Sequence, residues 1–315
     1  MTTTSTTLPA PVQQSFSYKL LSVPVPYMIH KIPAMLKNMP RNGGTDLRMR
    51  RYNPLATATV PLGNTGVYPP PQQLTAIDID AKMDFYGTYV VLNEQVTLQN
   101  QDPVLNEAAQ RLGVSLRQTE DELTRNMLAA TAAFLNCTGG TNGDNPTELA
   151  RSDVDEVIKT LAGADAYTIS DSIEGDDKFG TAPVRDAYFV MANTDLIGDL
   201  ERVTGFIAKS QYPYQDKTLR PEWGSISNTR WLLSSIGSSD ANASLNGNTV
   251  YNCFVAGMEA YCCIEQDGYS AQFIYRPPIY DGPLALNASV GYKFAEVPRI
   301  TNDAWIINLR TTLSV

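Results

Sequence analysis

Apolar and polar residues alternate strictly from residue 77 to residue 85. Ile77, Ile79, Ala81, Met83 and Phe85 share one side, and Asp78, Asp80, Lys82 and Asp84 the other. That is the period-two signature of a half-buried strand. Upstream, Leu47 and Met49 alternate with Arg48 and Arg50, and a tip punctuated by Pro61, Gly63, Gly66 and three prolines from Pro69 separates the two runs. The pattern predicts a two-stranded finger that reaches ~50 Å if fully extended. An isolated hairpin is at best marginally stable in water, so the apolar side of the finger requires a partner. The period then changes. Leu105, Ala108, Ala109, Leu112, Leu116, Leu123, Met127 and Phe134 recur mainly at three- and four-residue steps. They predict an amphipathic helix over about 103–135, with Asp102 as N-cap and Pro103 in the first turn. Such a helix is ~50 Å long, well beyond the usual globular length.

Residues 1–44 carry Pro9, Pro11, Pro24, Pro26, Pro33 and Pro40, a density that breaks regular structure and predicts an extended, adaptable arm. Beyond the long helix, "CTGGTNGDNPTELARS" reads as a loop and subdomain junction. Ser152 with Asp155 resembles a capping box for a short helix that turns Val154, Val157, Ile158 and Leu161 inward. "AYFVMA" reads as a buried strand, and "NTDLIGDLERV" as a helix capped near Asn193 or Thr194. "RWLLSS", "VYNCFVAG" and "AYCCIE" look extended, "SIGSSDANASLNGNT" reads as a flexible surface loop, and three strands close the chain. The class is α+β.

Composition narrows the function. The chain of 315 residues is long enough for a sizeable core, and no apolar run reaches the length of a membrane helix. The start, "MTTTSTTLPAPVQQ", lacks a secretory signal, so a cytoplasmic site of synthesis is expected. Cys137, Cys253, Cys262 and Cys263 show no metal or redox spacing and read as buried thiols. Charge is uneven. Residues 1–53 hold seven basic residues (Lys19, Lys31, Lys37, Arg41, Arg48, Arg50 and Arg51) against Asp46 alone, while the whole chain carries a formal charge of −9. A basic arm on an acidic body suits the acidic surface of another copy better than nucleic acid. No motif for nucleophilic, dinucleotide, phosphate-loop or zinc chemistry is present. The lone histidine, His30, reads as a packing or surface residue, and "SDSIEGDDKFG" as a solvated acidic loop rather than a calcium site. Neither catalysis nor a cofactor or metal is expected.

The order of these elements (basic arm, long finger, long helix, α+β block, closing strands) resembles the Hong Kong 97-type major capsid fold of tailed bacteriophages, and within it the coat-protein family typified by coliphage N-four. "RRYNPLATATVPLGNTGV", "AKMDFYGTYVVLNEQV" leading into "DPVLNEAAQRLG", "TEDELTRNMLAATAAFL" and "ASVGYKFAEVPRITNDAWIINLRT" carry the resemblance. It implies an N-arm over 1–44, an extended E-loop hairpin over 45–93, and a P-domain with spine helix over 94–149. A mainly A-domain block would follow over 150–280, with strands from 281–315 returning to the P-domain. It also implies self-assembly as hexamers and pentamers into an icosahedral shell around double-stranded DNA, in the virion and, during assembly, in the host cytoplasm. Implied partners are further copies, a separate scaffolding protein, a portal protein, a decoration protein and non-specifically contacted DNA, with no membrane. The alternative is an encapsulin-like compartment shell. Candidate inter-subunit contacts are Arg48, Arg50, Arg51, Ile77, Ile79, Met83 and Phe85 on the finger, and Lys19, Lys31 and Lys37 on the arm. Lys82 is the only lysine between Tyr52 and Asn93 and sits near the finger's base, so no covalent chainmail through the E-loop is expected.

Overall fold

The computed structural model describes residues 24–59, 70–95, 104–169, 186–212, 218–269, 271–278, 284 and 286–314. Lys19, the finger's tip, the expected cap at residues 102 and 103 and the acidic loop at 171–177 lie outside these residues. Two sheets and a projecting hairpin make up the fold. In the smaller sheet the fourteen-residue strand β14 (Asn287–Ile300) is the axis. Strands β12 (Tyr261–Gln266) and β13 (Gln272–Arg276) run antiparallel along one of its edges, and β4 (Phe85–Asn93) along the other. Strand β1 (Met35–Met39) adds in parallel to β12, with Met35 opposite Cys262. The arm is therefore not free throughout. Apolar side chains anchor it from Ile29 onward, and its first strand among the described residues begins at Met35, just after Pro33.

Helix α1 (Val104–Thr131) lies across this sheet. Leu112 and Leu116 pack on Val290, Tyr292 and Phe294, with Tyr86, Leu105 and Leu123 at the margin. The helix ends four residues short of the expected 135, because Ala133–Asn136 forms strand β5, parallel to β15 (Ile306–Thr311). There Phe134 lies exposed under the Arg310 guanidinium, 4.4 Å from ring centroid to Cζ. A position read as the helix's last apolar contact is instead an exposed strand residue.

The larger sheet runs β5, β15, β11 (Val250–Ala256), β6 (Tyr188–Asn193), β9 (Thr229–Ser234), β8 (Glu222–Ile226) and β7 (Phe206–Ala208), with the short β10 (Ser239–Asp240) beside β11. Every residue of β6, β9 and β11 is buried, as expected of strands covered on both faces. Tyr188, Val190 and Ala192 meet helices α2 (Arg151–Gly163) and α3 (Ile197–Arg202). Phe189 and Met191 meet Ile29, Leu128 and Tyr261 on the other face. The last strand β15 thus lies in the larger sheet, whereas β14 returns to the sheet under α1. The two closing strands part company because Asn302 and the 3-10 turn Asp303–Trp305 redirect the chain between them.

Two local expectations shift. Helix α2 begins at Arg151, and Asp153, not Ser152 with Asp155, supplies the cap: its Oδ2 accepts from Ala150 N at 3.1 Å and its Oδ1 from Gly139 N at 3.0 Å. The loop after β9 is tied down rather than loose. Asp144 accepts from Asn246 N at 3.0 Å and Asn248 Nδ2 at 2.8 Å, and these hydrogen bonds hold its carboxyl below the usual range against the opposing effect of desolvation.

Candidate contact surfaces

The finger is an antiparallel pair, β2 (Asp46–Tyr52) with β3 (Ala76–Lys82). Its register sets Arg48 opposite Asp80 and Arg50 opposite Asp78. Both guanidinium groups bind bidentately: Arg48 Nε and Nη2 lie 2.6 and 3.0 Å from the Asp80 oxygens, Arg50 Nε and Nη2 2.7 and 3.0 Å from those of Asp78. Hydrogen bonds from Arg50 and Arg48 lower the carboxyls of Asp78 and Asp80 below the ordinary value. Two of the basic residues expected to seek an acidic neighbour are thus neutralised inside the hairpin.

On the hairpin's other side Leu47, Met49 and Arg51 oppose Ala81, Ile79 and Ile77. The base of this side is covered by the chain itself. Ala81 and Met83 are buried with Met39, Cys262, Ile264 and Ala295, and Leu47 and Met49 pack on them. Met83 is therefore an interior residue, not a contact. Towards the tip the cover ends: Ile77 is 42% exposed, and Tyr52, Leu55 and Leu74 are exposed with it. Arg51 Nη1 reaches Thr301 O at 3.4 Å, over a groove lined by Ile77, Ile79, Met127 and Thr301.

Phe85 leaves this face. The single alternating run spans two strands in different sheets, broken at Met83 and Asp84, where Met83 N bonds Thr45 O and the chain passes to β14. On β4, Phe85 is 65% and Tyr89 71% exposed. Strand alternation puts both with Val91 on the face turned away from α1, and register adds Ile274 beside Gly291. The sequence reading named Phe85 but missed Tyr89 and Val91, although all three keep the period of two. The close approach of β4 to β14 depends on Gly291, where a Cβ would stand 2.7 Å from Tyr89 Cβ.

The arm lysines divide as well. Lys37 is half-buried, its Nζ 3.6 Å from Met49 Sδ. Lys31 is bonded within the chain to Glu265, Glu296 and Glu120. His30 is fully buried against Asp121, Nδ1 to Oδ2 2.7 Å. Burial pushes the thiols of Cys137, Cys253, Cys262 and Cys263 upward, which suits packing rather than reactivity. Among the described residues no His, Cys, Asp and Glu group has the form of a metal site, and no helix is long and apolar enough to cross a membrane.

Comparison with known proteins adds what geometry alone does not carry. A family model described as "Phage capsid protein" matches residues 76–307. No curated protein matches the chain. Among solved structures, the capsid of Ralstonia phage GP4 superposes with a TM-score of 0.70 at 12% identity, over 97% of this chain and 96% of that one. The head of Helicobacter pylori bacteriophage KHP40 superposes with a TM-score of 0.70 at 13% identity, over 99% and 97%. The capsid of cyanophage P-SCSP1u gives 0.62 at 10% identity, over 96% and 94%.

Proposed function

We propose, from the premise that the chain belongs to the phage capsid protein family, that its copies join through the outer half of the β2–β3 hairpin and the open face of β4 and β13. The protein is a major capsid protein of the Hong Kong 97-type fold, a structural subunit of the phage shell and not an enzyme, located in the virion capsid. In the terms of that fold, residues up to about 44 form the N-arm and the hairpin is the E-loop. Helix α1 with the smaller sheet forms the P-domain, and the larger sheet with α2 and α3 the A-domain. The phage heads among its structural neighbours favour this reading over an encapsulin-like compartment.

The observation that carries the contact assignment is the unequal satisfaction of the hairpin. Its charged side is closed by two bidentate pairs and its base is buried, while Ile77, Leu55 and Leu74 remain exposed. A heterologous contact repeated around rings would cover them and generate hexamers and pentamers. Many such contacts, each weak, close a shell through effective concentration. The acidic body suits a lining that slides past packaged double-stranded DNA, and a separate scaffolding protein, a portal and a decoration protein complete the set of partners. Sequence stretches around the hairpin and α1 support a coat protein of the N-four type.

The test is to express the chain alone and with candidate scaffolding genes, and to examine the products by electron microscopy and light scattering. Closed icosahedral particles, or capsomers that close only with a scaffold, are expected. A uniform monomer or dimer under both conditions would overturn the assembly reading.

A further inference from the structure

The described chain begins at Pro24, and its first residues meet the end of the larger sheet. Ser234 Oγ, on the last residue of β9, donates to Tyr27 O. Tyr27 forms one wall of a groove of about 670 Å³, within the ~300–1,000 Å³ typical of binding sites. Ile197 from α3, Ala208 from β7, Pro221 and Trp223 at β8 and Leu233 from β9 supply the rest of its apolar lining. Trp223 is 39% exposed in a strand whose other residues are all buried. Its Nε1 donates to Glu201 Oε1 at 3.2 Å, so its polar handle is satisfied and what remains open is the ring. An aromatic ring in that position gains most from an apolar cover.

We propose that this groove seats the chain's own residues 16–23, "FSYKLLSV", as a strap laid in cis across the larger sheet. Place supports it, because that segment ends immediately before Pro24, three residues from the groove wall at Tyr27. Length supports it, because eight extended residues cover ~26 Å, whereas the three strands β9, β8 and β7 together span only ~10 Å. Chemistry supports it as well. Val23 and Val25 each precede a proline, which restricts both to extended conformations. In an extended chain Leu21, Val23 and Val25 fall on the side of Tyr27, and Ser22, Pro24 and Pro26 on the other. Residues 12–23 hold no proline or glycine and a single charge, Lys19, which suits an apolar lining. A tethered segment also reaches the groove at high effective concentration, an advantage that a second copy lacks. The strap holds the start of the arm on the larger sheet, while Ile29 is buried between the sheets and β1 belongs to the smaller one. The N-terminal segment thus staples the two sheets together within one subunit, before any neighbour is met.

Acrylamide quenching of tryptophan fluorescence reads the strap. Of the three tryptophans, Trp231 is fully buried and Trp305 partly so, and the difference between each chain and its Trp223→Phe counterpart isolates Trp223. Deleting residues 2–15 should leave the Trp223 signal unchanged. Deleting residues 2–23 should shift its emission to the red and raise its quenching by about twofold, with far-UV circular dichroism unaltered. Leu21→Asp with Val23→Asp in the full chain should reproduce that change, and decides the matter should the longer deletion fail to fold. An unchanged Trp223 in the double variant would overturn the strap, as would the whole change already present after removal of residues 2–15. Shielding of Trp223 that appears only at concentrations where light scattering shows association would give the groove to a second copy and overturn the cis strap.

Discussion

Arg230 and Glu222 form a buried ion pair, bidentate at 2.8 and 2.6 Å. Glu222 also accepts from Tyr212 Oη at 3.2 Å and Leu219 N at 3.3 Å, while Arg230 stacks 5.1 Å over the Phe189 ring. Removing one partner strands the other's charge in the interior, so Arg230→Met should cost ~3–5 kcal/mol by urea denaturation, and Arg230→Met with Glu222→Leu should recover most of it. No motif announces the pair, since an arginine and a glutamate eight residues apart signal nothing until β8 and β9 fold back on each other. The cysteines were legible as buried thiols, because none has metal or redox spacing and Cys262 and Cys263 sit in an apolar run. Their thiols, raised by burial, should resist a disulfide reagent in the native protein and react fully in denaturant. His30 was legible only as a packing or surface residue. Its partner Asp121 lies far along the chain on a helix face that looks wet because Glu120 and Glu122 flank it.

At the level of the element, the hairpin separates folding from assembly. Replacing Arg48 and Arg50 by glutamate sets like charges opposite Asp80 and Asp78 and should fray β2–β3. Because this side of the hairpin is exposed, the melting temperature should change little while particle yield collapses. Adding Asp78→Arg and Asp80→Arg should restore the ladder with reversed polarity, and particles with it. Leu128→Ala should behave oppositely. Leu128 is wholly buried between the two sheets, so its loss should cost ~2–5 kcal/mol of stability. The helix, the buried strands and the hairpin were all readable from periodicity. The end of α1 and the break at Met83 were not. Alternation reports which residues face the same way, but Ile77 and Phe85 alternate alike while their strands pair with β2 and β14.

On the scale of the whole molecule, the α+β class and the capsid reading were available from the order of elements. The division of labour between surfaces was not, because it depends on which charges the chain consumes internally. Three of the seven basic residues of the arm and hairpin are paired within the chain, Lys31 with three glutamates and Arg48 and Arg50 with the hairpin's aspartates. Substituting Tyr89 and Val91 by serine should lower particle yield while leaving a monomer of unchanged secondary structure by circular dichroism. The topology adds a constraint of its own. Phe85 pairs with Ala295 and Ala133 with Ile307, so both sheets draw on residues 287–311, and β15 sits in the larger sheet between β5 and β11. Contacts this distant along the chain form late. A nascent chain still emerging from the ribosome has no β14 to receive β4 and no β15 to close the sheet, so it cannot yet present the surfaces that neighbours recognise. Prematurely terminated products would be left unfolded for proteases rather than built into a wall, and the fold acts as a completeness check on every subunit admitted.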